Sequence, residues 1–323
     1  VDALQNVRGA YSLIVVHDNK MYVARDPDGY RPLCHVRKGN CVVFASENVA
    51  LEDIGATYCG EVPAGKLFTF SQEGFEECSI NRSSGASKCI FELIYFAHPS
   101  SRIFNMVSDN SAFRQRCGEA LWRENPADVD IIFPSPDSGI DAAIGYSRAA
   151  GKETSAEYAR GLVRSHTVGR TFIMPKEDSR IIGIRRKLKP TGSAVNGKRV
   201  LFVDDSIVRG NTSKELVSML REAGAQEVHV RVASPPIRAP CDMGMDFPTY
   251  DELAASGRSV EEVCGMIEAD SLEYLSQSGL LACAKELGGE GFCTSCFTGE
   301  MPSELVRIRK EKGLYRDPSG LAP

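Results

Sequence analysis

The stretch Val200-Leu-Phe-Val-Asp-Asp-Ser-Ile-Val-Arg-Gly-Asn-Thr-Ser213 joins three signals in one short segment. Val200–Val203 is a strand-length apolar run. It ends in two adjacent carboxylates, Asp204 and Asp205. A loop with Gly210 follows, and Thr212 and Ser213 open an amphipathic segment. The start of a helix offers unbonded N–H groups and the positive end of its dipole, which suits a phosphate. Gly210 lets the backbone come close to a ligand. The hydroxyls of Ser206, Thr212 and Ser213 add donors. The carboxylates would repel a phosphate but suit hydroxyl groups or Mg²⁺, a hard cation that takes oxygen ligands. One end of the loop therefore fits a phosphate and the other a diol or metal, the two ends of a sugar phosphate. Taken alone, Asp-Asp-Ser is an ordinary helix-cap and turn cluster. The strand before it and the helix after it place it where parallel sheets bind ligands.

Arg199–Val203 predicts a strand and Asp204–Asn211 the loop. Thr212–Ala223 predicts a helix, with Leu216, Leu220 and Ala223 on one face. Gly224 stands where a helix ends. Glu227–Ala233 alternates as the next strand. Upstream, Asp130–Phe133 is a short buried strand that runs through Pro134–Gly139 into a helix over Ile140–Ala150. From about residue 88 strands alternate with amphipathic helices, which predicts a parallel α/β sheet. Residues 250–287 read as helical. Residues 1–79 read instead as strands and turns: Ala10–Val16, Met21–Ala24 and Cys41–Ala45 are strands, and Asp18-Asn19-Lys20 is a hairpin turn. The small polar run Asn81–Ser87 marks a boundary, giving domains over 1–79 and 88–323 with 80–87 as linker.

Composition narrows the function. A chain of 323 residues exceeds the usual size of one core. No apolar run approaches the ~18 residues of a membrane span. A net charge of −5 and a pI of 5.7 exclude a general nucleic-acid binder, though not a local site for a small anion. Eleven cysteines, odd in number and irregular in spacing, fit reduced thiols better than a disulfide framework. Cys293-Thr-Ser-Cys296 has ligand spacing. By itself it is half of a zinc site, a redox pair or half of an iron–sulfur site, and spacing does not choose its partners.

The phosphate stretch matches the 5-phosphoribosyl-1-pyrophosphate (PRPP) motif of type I phosphoribosyltransferases. With Pro136-Asp137-Ser138-Gly139, Val168-Gly169-Arg170-Thr171-Phe172-Ile173, Val232-Ala233-Ser234-Pro235-Pro236-Ile237 and Cys296-Phe297-Thr298-Gly299, the chain resembles the glutamine PRPP amidotransferases (amidophosphoribosyltransferases) over about residues 7–304. The resemblance implies an α/β fold: a type I phosphoribosyltransferase parallel-sheet domain, preceded by the β-rich remainder of an N-terminal-nucleophile glutaminase domain. It implies transfer of ammonia, drawn from glutamine in the full-length enzyme, to C1 of PRPP. The products are 5-phosphoribosylamine and pyrophosphate, in the first committed step of purine synthesis.

Carried over residue by residue, PRPP falls to Asp204, Asp205, Ser206, Val208, Arg209, Gly210, Thr212 and Ser213. Asp204 and Asp205 take the ribose hydroxyls, and Thr212 with Ser213 the 5-phosphate. One Mg²⁺ per subunit falls to Ser138, Asp204 and Asp205. Arg170 and Lys187 belong to a basic segment with Arg180, Arg185, Arg186 and Lys189. Gly169, Gly183 and Gly192 punctuate it, and the family uses it as a lid over PRPP. Here Arg164–Arg170 departs from the family's Asn-Arg-Tyr-Val-Gly-Arg. A [4Fe–4S] cluster, carried by some members, falls to Cys89, Cys241, Cys293 and Cys296, where it would tether the C-terminus to the domain junction. The other seven cysteines read as small buried apolar residues.

Residues 1–79 match only the later part of the glutaminase domain, and the chain begins with Val rather than Met. The expectation is therefore an N-terminally truncated chain without the glutaminase nucleophile. It would not hydrolyse glutamine but could use free ammonia, and it would expose unpaired strand edges. The resemblance also implies homo-oligomers and purine nucleotides as inhibitors, in a cytoplasmic protein or one directed to an organelle. Two other functions fit parts of the pattern. A non-catalytic PRPP- or nucleotide-sensing module explains the phosphate loop but not the four cysteines or Pro136–Gly139. An iron–sulfur or zinc interaction protein explains the cysteines but not Asp204 and Asp205.

Overall fold

The computed structural model describes residues 2–52, 54–80, 87–165, 177–245, 249–301 and 303–314. They form two compact units.

The first unit comprises residues 1–113, 241–246 and 284–294. After a short helix α1 (Asp2–Gln5), β1 (Ser12–His17) and β2 (Lys20–Arg25) form a hairpin. Asp18 and Asn19, at φ of 48° and 58°, make its turn. Two positive φ values in a two-residue loop match the right-handed twist of the strands, and Asp and Asn tolerate that conformation. β3 (Cys34–Lys38) and β4 (Cys41–Ala45) form a second hairpin, followed by α2 (Val49–Glu52), β5 (Thr57–Glu61), β6 (Lys66–Ser71) and β7 (Gly74–Ser79). The strands make two antiparallel sheets, ordered β1-β2-β6-β7 and β4-β3-β5. Arg25 is buried and tied by its Nη1 to Glu61 Oε2 and the Val62 carbonyl, each at 2.8 Å. Asp26 accepts the Tyr30 N–H at 3.0 Å. Thus the Ala24-Arg25-Asp26-Pro27 run is a corner brace. β1 lies at a sheet edge, and Ile14, Val15 and Val16 are exposed, Val16 by 72%. An exposed apolar edge strand of this kind is open to pairing with another chain.

Residues 88–113 pack with this first unit. β8 (Lys88–Cys89) pairs in parallel with Phe292–Cys293, and the Cys89 N–H reaches the Tyr30 carbonyl at 3.1 Å. Of the expected linker, residues 81–86 lie outside the described residues.

The second unit comprises residues 114–240, 247–283 and 295–323. α3 (Asn110–Glu124) enters it from the first. β9 (Ile131–Pro134), α4 (Ile140–Ala150), β10 (Glu157–Tyr158), β11 (Leu162–Arg164), α5 (Glu177–Lys187), β12 (Leu188–Pro190), α6 (Gly192–Val195), β13 (Arg199–Asp204), α7 (Asn211–Glu222), β14 (Glu227–Val232), α8 (Val260–Ile267), β15 (Ser271–Tyr274) and α9 (Gln277–Glu286) follow. Five strands form one all-parallel sheet, ordered β10-β9-β13-β14-β15. β13 is central, and Val200, Leu201, Phe202 and Val203 have no exposed surface. That is why the strand reads as an unbroken apolar run rather than an alternating one. β11 and β12 form a separate antiparallel pair. The segment read as helical over 250–287 contains β15, because Ser-Leu-Glu-Tyr is too short to show a period and gains its place only by pairing with β14.

Candidate active site

Asp204 is the last residue of β13, so it emerges at the carboxyl edge of the sheet between β9 and β14. Both carboxylates are buried, Asp204 at 7% and Asp205 at 6% exposure. The Asp205 N–H donates to Asp204 Oδ1 at 3.0 Å, and Ser206 Oγ donates to Asp205 Oδ1 at 3.2 Å. The Ser135 side chain bonds Asp204. Asp205 Oδ2 is buried with no hydrogen-bond partner. A carboxylate oxygen left this way is costly unless something else satisfies it. An oxygen of this kind suits a sugar hydroxyl or a hard cation such as Mg²⁺, and the residues that the resemblance assigns to Mg²⁺, Asp204, Asp205 and Ser138, all offer oxygen donors.

Burial pushes the Asp204 carboxyl up to about 6. Asp205 is raised well above its ordinary value, first by burial and then by the charge of Asp204, with hydrogen bonds from Ser206 opposing the shift. Both groups stand near 3.8 in an unfolded chain. Above that value the folded protein holds protons that the unfolded chain has released. The part of this stability that comes from Asp204 is complete below about pH 4 and is lost as pH rises through about 6. Asp204→Asn removes the part that comes from Asp204 and the charge that adds to the shift at Asp205. Its stability relative to wild type, measured by urea unfolding, improves steadily from pH 4 to pH 7. A difference independent of pH contradicts the assignment.

Gly210 precedes α7 at φ 81°, and no side chain caps the helix. A Cβ here would stand 2.7 Å from Met266 Cε. The Lys214 N–H makes the first helical bond, to the Gly210 carbonyl. The N–H groups of Asn211, Thr212 and Ser213 are thus the open donors of the helix start. The helix begins one residue earlier than the sequence predicts. Thr212 is exposed and Ser213 is buried. Val208 is fixed by its carbonyl, which accepts the Ala254 N–H at 2.8 Å. Arg209 is held by Glu252 at 2.6 Å.

The Pro136–Gly139 loop lies against the same strand end. Ser135 N donates to the Val203 carbonyl at 2.8 Å, and a Cβ on Gly139 would stand 2.2 Å from that oxygen. Ser138 is half-buried on this loop. Asp137 pairs with Arg164, whose Nε is buried without a partner. Lys187 joins them: burial first, then Arg164, lowers its pKa, and Asp137 opposes the shift. Ser165 N bonds the Lys187 carbonyl at 2.7 Å. Two cations therefore gather at the loop with Ser138. Sequence alone marked Lys187 but gave Arg164 no role, although it opens the stretch that departs from the family pattern. Arg185 bridges to Glu222 at 2.6 Å and also pairs with Glu215, strapping α5 to α7. Arg170 and Gly169 lie outside the described residues, as does the side chain of Arg180.

The four predicted cluster thiols divide between the units. In the first unit Cys89 and Cys293 are register partners in the parallel pair, and Cys241 Sγ accepts the Met243 N–H at 3.2 Å. Burial, and then the charges of Glu92 and Cys241, push Cys89 up to about 12 against the opposing charge of Arg31. Cys241 is raised by burial and by Cys293. In the second unit the Cys296 carbonyl accepts from the Arg238 and Ala239 N–H groups at 2.9 and 3.0 Å. Among the described residues no group of three or more His, Cys, Asp or Glu is arranged to hold a single metal ion. A cubane spreads its thiolates over separate irons, so Cys89, Cys241 and Cys293, each within electrostatic reach of another, suit it better than one ion.

The profile of a glutamine amidotransferase domain matches residues 1–53. Amidophosphoribosyltransferase 1, chloroplastic, of Arabidopsis thaliana is 43% identical over 316 residues, 97% of this chain and 54% of that protein. The amidophosphoribosyltransferase of Bacillus subtilis is 43% identical over 95% of this chain and 64% of its own. The chain thus spans between about half and two thirds of these relatives. The solved glutamine PRPP amidotransferase of B. subtilis, complexed with ADP and GMP, superposes at TM-score 0.82 with 42% identity, covering 93% of this chain and 66% of that one. A structure described as the allosteric regulatory enzyme of purine biosynthesis superposes at TM-score 0.83 with 40% identity, covering all of this chain and 68% of that one. The chain belongs to the amidophosphoribosyltransferase family. The parallel sheet with the acidic strand end is therefore the family's phosphoribosyltransferase fold, as the motifs predicted. Among the described residues no helix of this amidophosphoribosyltransferase family member is long and apolar enough to cross a membrane.

Proposed function

We propose that this chain carries the transferase centre of an amidophosphoribosyltransferase, in which ammonia displaces pyrophosphate from C1 of PRPP to give 5-phosphoribosylamine. The observation that carries the proposal is the buried carboxylate pair, with Asp205 Oδ2 unpartnered, next to the uncapped start of α7. Asp204 and Asp205 accept hydrogen bonds from the ribose hydroxyls. The N–H groups of Asn211–Ser213, with the Thr212 and Ser213 hydroxyls, donate to the 5-phosphate. Lys187 faces the pyrophosphate, a role that the family resemblance also gives Arg170. Ammonia's lone pair forms the C1–N bond as the C1–O bond breaks, and the bonding electrons leave with pyrophosphate. The nitrogen then sheds a proton to solvent. Because C1 becomes cation-like and the leaving group strongly anionic, these residues act mainly by positioning and neutralising charge. Mg²⁺, held by Asp204, Asp205 and Ser138, supplies further neutralisation when bound.

In the whole protein, glutamine is the ammonia source and purine nucleotides are inhibitors. The ADP and GMP bound to the B. subtilis relative support the second point. The plant relatives' chloroplastic names keep an organelle beside the cytoplasm as its location. Ammonia-dependent pyrophosphate release from Mg²⁺–PRPP tests the proposal. Tight PRPP binding with no pyrophosphate released supports a sensing module instead.

We also propose a [4Fe–4S] cluster on Cys89, Cys241, Cys293 and Cys296, serving as a structural tether. Four thiolates are what such a cluster needs. Cys293→Ser, purified without oxygen, then loses most of its iron and labile sulfide and melts at a lower temperature. Full metal content in that variant refutes the ligand set.

A further inference from the structure

Arg31 is held along its whole length. Its N–H donates to Asp26 Oδ2 at 3.4 Å and its carbonyl accepts from Arg25 Nε at 2.8 Å, so its backbone hangs on the corner brace. Its guanidinium is a rigid fork that can serve two partners at once. Nη1 pairs with Glu92, a buried carboxylate that begins the short helical turn Glu92–Phe96. Nη2 donates to the Met243 carbonyl at 3.2 Å. Cζ lies over the Phe96 ring, 5.3 Å from its centre. Gly244 admits the fork: its φ is 88°, and a Cβ there would stand 2.6 Å from Nη2. Met243 is buried, and its N–H donates to Cys241 Sγ at 3.2 Å. One residue thus gives its N–H to a proposed cluster thiolate and its carbonyl to Arg31. All of these residues lie in the first unit.

We propose that Arg31 is a positioning residue for the thiolate centre: it holds the loop after Cys241 so that the Met243 N–H stays aimed at the Cys241 sulfur. Partners that orient a metal ligand govern how tightly the metal is kept, and hydrogen bonds to sulfur tune the potential of an iron–sulfur centre. Glu92 balances the guanidinium, which is charged in any protein environment. This role rests on the reading of Cys89, Cys241, Cys293 and Cys296 as cluster ligands.

Two measurements on the full chain test it without turnover: the rate at which iron passes to a strong chelator under argon, and the midpoint potential of the cluster. The variants are R31Q/E92Q, E92Q and R31K, each checked by its melting curve. R31Q/E92Q removes both charges of the pair, so no buried charge is left alone. It releases iron about ten- to a hundredfold faster than wild type, the usual cost of losing a partner that orients a metal ligand. Its midpoint moves to lower potential, because an N–H donated to sulfur favours the reduced, more negative centre. E92Q keeps the Arg31–Met243 bond and releases iron within about threefold of wild type. Wild-type iron release and potential in R31Q/E92Q overturn the role. So does E92Q releasing iron as fast as the double variant, since the ion pair would then be only a strut. Should the double variant fail to fold, R31K decides: it keeps the pair with Glu92 but not the fork, and shows both changes in smaller measure. Wild-type values in R31K then overturn the role. Wild-type protein purified without oxygen that carries no iron or labile sulfide removes the cluster reading itself.

Discussion

Asp205→Asn lowers ammonia-dependent pyrophosphate release by about a hundred- to a thousandfold, the cost of removing one preorganised charge from a site of this kind. Stability at pH 7 stays within about 1 kcal/mol of wild type, because two opposing terms meet there. The substitution removes a carboxylate whose charge the fold disfavours by burial and by the neighbouring Asp204. It also puts an amide where Oδ2 already lacks a partner. A structural acid would behave in the opposite way, losing stability and sparing activity. Steady-state rates with saturating ammonia, together with urea unfolding, separate the two cases. A variant that unfolds early but turns over normally would remove the catalytic reading.

Gly139→Ala should be the most damaging small substitution near the site. The new methyl group would stand 2.2 Å from the Val203 carbonyl and 3.0 Å from that of Ser135, both backbone atoms that no side-chain rotation can clear. The Pro136–Gly139 loop must lift from the strand end. Overpacking of this kind costs about 1–3 kcal/mol. The loop also carries Ser138, proposed above as a Mg²⁺ position, and Asp137, which pairs with Arg164, so its displacement moves both groups. A shift of about 1 Å in such groups can cost about a hundredfold in rate. Thermal unfolding and the rate of pyrophosphate release should both fall. A variant with wild-type stability would show that the loop does not rest on β13. Gly192→Ala is the control, since nothing lies within 4 Å of the methyl position there.

Much of the second unit was legible because its signals are local. Val200–Val203 reads as buried strand since both faces of β13 are covered. Ile140–Ala150 reads as a helix and forms one with those bounds. Gly224, at φ 92°, ends α7 where a glycine was expected to. The parts that sequence could not give depend on pairing at long range. β15 is a strand only through its contact with β14. Gly118 and Gly145 are unremarkable in the chain until α3 meets α4, where a Cβ on either would strike a backbone carbonyl of the other helix. The cysteines show the same limit. Cys293-Thr-Ser-Cys296 was visible as a pair, but only the parallel pairing of β8 with Phe292–Cys293 brings Cys89 beside Cys293.

A crystal structure of the chain with Mg²⁺ and a non-hydrolysable carbocyclic PRPP analogue addresses the two-ended site itself. The account predicts the analogue's two ring hydroxyls within hydrogen-bonding distance of the Asp204 and Asp205 carboxylates, and its 5-phosphate on the N–H groups of Asn211, Thr212 and Ser213. An analogue bound with its phosphate away from the start of α7, or with its diol facing any other residues, contradicts it.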